Sequence, residues 1–154
     1  MKKNTLKFIT LILFIAGFFS ACKEKPEALC ACGKIEINKK EYIAMCVVPE
    51  VVTSNSVNYL RMENFSKQIM LYGYSFFIEY FYENHWELIK TDIIIELPLL
   101  YLEASTATEE EMNLYSFAEK YNSSKKGKYR IVKDVSLSTG QYNSYDLVAE
   151  FEFK

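Results

Sequence analysis

The sequence predicts an all-β antiparallel sandwich of about seven strands over residues 41–154. Three observations predict it. From Glu41 onward the chain is rich in Tyr, Phe, Ile and Val, residue types that suit a pleated, half-buried surface. Many stretches alternate apolar and polar side chains, the period of a strand with one buried face. Turn signals recur at roughly ten-residue spacing, and short half-buried strands cover their apolar faces by packing sheet on sheet.

Residues 1–40 are of another kind. Lys2, Lys3 and Lys7 precede an apolar run from Phe8 to Phe19, interrupted at Thr10, and small residues Ser20 and Ala21 lead to Cys22. That order is the layout of a secretory signal peptide. The run is shorter than the ~20 apolar residues a membrane-spanning helix needs. Phe19-Ser20-Ala21-Cys22 resembles the lipobox of bacterial lipoproteins, with Phe19 where Leu is commonest. The resemblance implies cleavage after residue 21 and acyl chains on Cys22. Each buried methylene then contributes about 0.8 kcal/mol to anchoring. The expected location is the outer membrane or cell surface, with the membrane as a partner through Cys22. Residues 22–40 follow as a lipidated N-terminus and tether, charged and proline-bearing at Lys23-Glu24-Lys25-Pro26-Glu27. As a coil, residues 23–40 reach on the order of 25 Å. Some bacterial groups read such charges after the lipidated Cys as a surface-sorting signal.

The strands are then taken in order. Tyr42–Val48 is the first, stopped by Pro49, and Val57–Asn64 the second. Ser75–Tyr82 is the third, with Phe76, Ile78, Tyr80 and Tyr82 on one face and Phe77, Glu79 and Phe81 on the other. Glu83-Asn84-His85 reads as a hairpin turn returning through Trp86–Lys90. Asp92–Leu97 is strand-like, and Pro98 makes it an edge strand or a strand end. Residues 103–111 have the composition to cap and start a helix. Glu111–Tyr121 either continues that helix or forms a strand, and the surrounding pattern favours a strand over Met112–Phe117. Lys128–Val135 and Asp146–Phe153 close the domain, joined by a loop over residues 138–144.

With the strands placed, Gly127-Lys128-Tyr129-Arg130-Ile131-Val132-Lys133 and Leu147-Val148-Ala149-Glu150-Phe151-Glu152-Phe153 resemble the end of a bacterial immunoglobulin-like (Ig-like) domain family found in many lipoproteins. Asn64, Tyr72-Gly73-Tyr74, Ile78-Glu79 and Trp86 fall in the order that family shows, so the resemblance covers roughly residues 42–154. The chain departs from it at Lys126-Gly127, where the family usually has Pro-Gly, and in its long, apolar segment 92–105. The resemblance implies an Ig-like sandwich. Tyr129, just after a turn at the start of the penultimate strand, is placed for a tyrosine corner. Gly127 suits a turn position with positive φ. Trp86 is expected to fill the core between the sheets, with ligand stacking as the other reading.

Composition narrows the function. The chain carries a net charge of −2, and loss of Lys2, Lys3 and Lys7 leaves 15 Lys+Arg against 20 Asp+Glu. An acidic chain argues against nucleic-acid binding. The basic stretch Lys125–Arg130 reads as a solvated turn before an anion site. The single histidine, His85, has no nucleophile or orienting group near it in sequence. No phosphate loop, nucleophile elbow or paired zinc motif is present. Glu109-Glu110-Glu111 lacks the alternating ligands of a calcium loop and reads as a solvated face.

No catalytic residue, cofactor or metal is therefore expected. Beyond Cys22, three cysteines stand in an oxidising compartment. Cys30 or Cys32 can bridge to Cys46. The other readings are free thiols, or a soft-metal or redox site on Cys30, Cys32 and Cys46. Tyr72 and Tyr74 around Gly73, and Tyr142 and Tyr145 in the last loop, either cover strand faces or form ligand-binding loops. The function read from these features is a non-enzymatic, membrane-anchored binding or structural module with a protein or glycan partner. The alternative is a thiol-based metal-binding or redox lipoprotein.

Overall fold

The computed structural model describes Cys30 and residues 33–90, 99–122, 125–138 and 142–154, with the side chains of Asn122 and Tyr142 excepted. Signal peptide, Cys22, Cys32 and the strand expected over Asp92–Leu97 lie outside the described residues.

Among the described residues, eleven strands form two sheets, accompanied by one helix. The first sheet has the order β1 (Lys34–Asn38), β2 (Glu41–Val48), β4 (Asn58–Asn64), β9 (Thr106–Met112). The second runs β3 (Val51–Val52), β11 (Tyr142–Phe153), β10 (Gly127–Ser138), β5 (Met70–Tyr72), β8 (Leu100–Leu102), with β6 (Phe77–Tyr82) also on β10 and β7 (His85–Leu88) on β6. All pairs are antiparallel except β3 with β11. Alternation decides the faces. Ile43, Met45 and Val47 of β2 point inward to meet Tyr129, Ile131, Val135 and Leu137 of β10 and Leu147, Ala149 and Phe151 of β11, all buried in one cluster. The all-β sandwich read from the sequence is the fold found.

Several local expectations need correction. The tether does not extend to residue 40. Lys34–Asn38 pairs with β2, with Ile35 and Ile37 packed on the core and Lys34 and Glu36 on the outer side. Gly33 (φ +69°) brings the chain into the sandwich, where a Cβ would stand 1.9 Å from the Val148 carbonyl oxygen and 2.5 Å from that of Met45. Only glycine fits there.

The region 103–121 is inverted relative to expectation. Most of residues 103–111, whose composition could cap and start a helix, instead lies in β9 (Thr106–Met112), which pairs with β4 along its length. The strand favoured over Met112–Phe117 is instead a helix, α1 (Leu114–Asn122). Asn113 caps it, its Oδ1 accepting from the Ser116 N–H at 3.0 Å. Leu114 and Ala118, one turn apart, are buried against the core, and Tyr115 stacks on Phe153 with centroids 5.4 Å apart. Aromatic content argued for a strand, but the apolar period is 3.6 and the cap is local.

The last loop is also shorter than expected. Tyr142 pairs with Ser138 and Tyr145 with Val135, so both belong to β11.

Candidate functional site

The outer face of the first sheet is covered. Tyr42, Ala44, Cys46 and Val48 of β2 point away from the core, and Cys30 packs on them. Cys30 and Cys46 are joined by a disulfide with Cα atoms 5.3 Å apart, and with Ala44 they form a second small buried cluster. Beside it runs an ion-pair chain. Arg61 Nε donates to Glu63 Oε1 at 2.8 Å and Arg61 Nη1 to Glu109 Oε1 at 2.7 Å. The Glu63 side chain is 0% exposed, and the Cys30 N–H donates to its Oε1 at 3.4 Å. The Arg61 guanidinium is partly desolvated, but the two carboxylates more than offset this and raise its pKa. Glu109, of the three-glutamate run, is thus a structural partner.

The outer face of the second sheet carries a different set. A two-residue turn at Glu83 (φ 44°) and Asn84 (φ 66°), both left-handed as a tight hairpin demands, sets Tyr82 opposite His85 and Phe81 opposite Trp86. Trp86 therefore does not fill the core. His85 belongs to the strand rather than the turn, and a one-residue difference in turn length moves every later side chain to the other face. Trp86 sits on the outer surface, its ring 5.0 Å from that of Phe81 and 4.5 Å from the Arg130 guanidinium carbon. Arg130 also donates to the Glu79 carboxylate. Around this group Phe77 is 60% and Leu88 53% exposed, and the Val132–Val148 pair continues the apolar surface onto β11.

A third feature lies where the second sheet is interrupted. β5 and β6 follow one another along one edge of β10, β5 at Val135–Leu137 and β6 at Tyr129–Val132. Residues 73–76 break the ladder opposite Lys133. That lysine points inward at 1% exposure. Its Nζ donates to the Ser75 carbonyl at 3.2 Å and stands 5.6 Å from the Tyr72 ring centroid. Desolvation lowers its pKa below the ordinary 10.5, partly opposed by Glu110 on the inner side of β9. Burial, then Glu110 and Tyr74, raise the pKa of Tyr72 above 10.0. Of the tyrosines proposed for ligand loops, Tyr72 is a half-buried strand residue, Tyr74 an exposed loop residue, and Tyr145 half-buried against the core. They do not form one loop cluster.

The remaining positions are architectural. Tyr129 is fully buried and its hydroxyl donates to the Lys125 carbonyl four residues earlier, the geometry of a tyrosine corner. Gly127 (φ 137°) packs so closely on Tyr80 that a Cβ would lie 3.3 Å from its ring.

With this geometry in place, the comparison with known families is decisive. The model of the bacterial Ig-like domain matches residues 39–152. The chain belongs to that family. No curated protein and no solved structure matches it. Ig-like domains of this kind are typically non-enzymatic structural or binding modules and are often extracellular or surface-exposed.

His85 is exposed, its Nε2 3.0 Å from Glu87 Oε1 and its Nδ1 3.3 Å from the Glu83 carbonyl. Neither partner is a hydroxyl or a thiol. Among the described residues no group of His, Cys, Asp and Glu is arranged to hold a metal ion, and no helix is long and apolar enough to cross a membrane. Two of the three sulfurs of the thiol-site reading are bonded to each other in the Ig-like domain.

A polar crevice of about 420 Å³ lies at one end of the sandwich, between Asn38, Glu41, Ser66 and Lys67 among others. Its groups already serve each other. Asn38 Oδ1 accepts from the N–H groups of Lys40 and Glu41, and Lys67 lies 3.5 Å from the Glu41 carboxylate. The aromatic face around Trp86, by contrast, leaves Phe77 and Leu88 exposed. Sequence reading found Trp86 but not its neighbours. The signal available was the pair of outward apolar residues, Phe77 and Leu88, at positions where a strand facing water should be polar.

Proposed function

We propose that this Ig-like domain is an exported, lipid-anchored, non-enzymatic binding module of the cell envelope. It is held to the membrane through Cys22 and meets a protein or glycan partner with the outer face of its second sheet. The observation that carries the reading is the exposure of Phe77 and Leu88 beside Trp86 and Arg130. Aromatic residues and arginine are enriched where partners bind, and a contiguous apolar patch at a sheet surface marks an interaction site. The signal-peptide layout and the lipobox-like Phe19-Ser20-Ala21-Cys22 support export and anchoring.

Two measurements test the two halves. Intact mass of membrane-extracted protein, before and after reduction, should match residues 22–154 plus acyl chains. An unlipidated chain overturns the anchor. Partner retention from isolated envelope fractions should be lost in the double variant Phe77→Ser, Leu88→Ser while the thermal transition stays put. Equal retention by both proteins overturns the binding face.

A further inference from the structure

Among the described residues the same face ends in an open edge, and its chemistry specifies the shape of the partner. In the β6–β7 hairpin the residues flanking the two-residue turn exchange hydrogen bonds, and bonding alternates from there. The Ile89 N–H donating to the Ile78 carbonyl at 2.9 Å continues the same alternation. His85, Glu87 and Ile89 therefore direct their backbone groups to β6, and Trp86 and Leu88 direct theirs away from it. Among the described residues β7 pairs with β6 alone. Two N–H and two C=O groups thus point outward from the two residues whose side chains lie on the bare aromatic face.

Other edges of the sandwich are built differently. β9 carries Glu109, Glu110 and Glu111, and β1 shows Lys34 and Glu36 outward, whereas β3 and β8 have two and three residues. Charge and shortness blunt an edge against pairing. β7 has Glu87 on its inner side, about half exposed and 3.0 Å from His85 Nε2.

We infer that β7 receives an extended peptide segment of another protein as an added strand, with the chemistry apolar–basic–apolar at three successive positions. Its backbone pairs with Trp86 and Leu88, and its two apolar side chains pack on the outer face beside them. The basic residue between faces Glu87. Main-chain bonds supply affinity in this mode and alternate side chains supply specificity. The inference rests on the binding-face reading and narrows its partner to an extended peptide.

The test uses a capped peptide, Thr-Ile-Lys-Ile-Thr, and amide hydrogen exchange of the purified chain. Saturating peptide should slow exchange at Trp86 and Leu88 by about tenfold or more, with no change at β9. A peptide of the same sequence N-methylated on its bonding face should give no protection, and neither should the protein variant Leu88→Pro, which removes one outward N–H. Should Leu88→Pro fail to fold, the N-methylated peptide still decides. Slow exchange at Trp86 and Leu88 in the free chain would mean that the edge is already paired, and overturns the inference. So does an absence of protection by the unmodified peptide at millimolar concentration. Contact at Phe77 and Phe81 that survives N-methylation overturns strand addition but leaves the binding face standing.

Discussion

The two outer faces of this sandwich are made from the same material and treated in opposite ways. On the first sheet, Ala44 and Cys46 are buried together with Cys30, and the charges there are paired as Glu63–Arg61–Glu109. On the second, Phe77, Trp86 and Leu88 surround Arg130 with nothing from the described chain upon them. A sheet normally presents one apolar face to the core and one polar face to water. Here both outer faces depart from that rule, and only one is covered from within. The covered face lies on the side where the chain enters, and the bare face looks away from it.

Removing Arg61 should break the comparison most severely. Arg61→Ala takes the Arg61 guanidinium away from buried Glu63, at a cost of about 3–4 kcal/mol, read as the loss of denaturant midpoint. Opening the bridge with Cys30→Ala and Cys46→Ala closes no loop across the 16-residue separation and should cost about 2–3 kcal/mol. Because Cys30 also donates to Glu63, the two changes should fall short of additivity in a double-mutant cycle.

A smaller effect belongs to the core between the faces. The pKa of Lys133 is lowered on folding, so below it the amine is charged in both states and its desolvation weakens the fold. As pH rises from that lowered value to 10.5, the native state releases the proton first and stability climbs. Tyr42, Tyr72 and Tyr82 have raised values, so above pH 10 they act the other way. The climb from Lys133 should therefore give way to a fall as the tyrosines titrate above pH 10. Lys133→Met should remove the climb and add about 1 kcal/mol at neutral pH. An unchanged profile in that variant would contradict the account. The smallest stability effect is expected on the bare face. Phe77→Ser or Leu88→Ser should shift stability by no more than about 0.5 kcal/mol, unlike any change on the covered face.

How much of this was legible in the residues follows from periodicity. β10 and β11 alternate buried and outward residues along their length, the apolar run of β2 marked a strand, and Gly127 with Tyr129 marked the corner. The region 103–121 was misread because its local signals mislead in both directions. Three glutamates suggest a helix although β9 is a solvated edge, and Tyr115, Phe117 and Tyr121 suggest a strand although Asn113 starts a helix. Trp86 was misplaced by one residue of turn length. Lys133 was not singled out, because an inward lysine looks the same in sequence as an outward one unless the alternation of Tyr129, Ile131, Val135 and Leu137 is followed through it. The neighbours that make the bare face come from β6, β7 and β10 together, and their proximity is a matter of register.

The bridge between Cys30 and Cys46 also has a mechanical meaning. A pull applied to the chain ahead of Cys30 does not reach β1. It passes through the sulfurs into β2, a strand with neighbours on both sides. Without the bridge, the same tension would peel β1 from the sheet one rung at a time, as a zipper opens. With it, the load enters the interior of the ladder, where the rungs of β2 on β4 must yield together. Reduction of one bond would turn a clamp into a zipper.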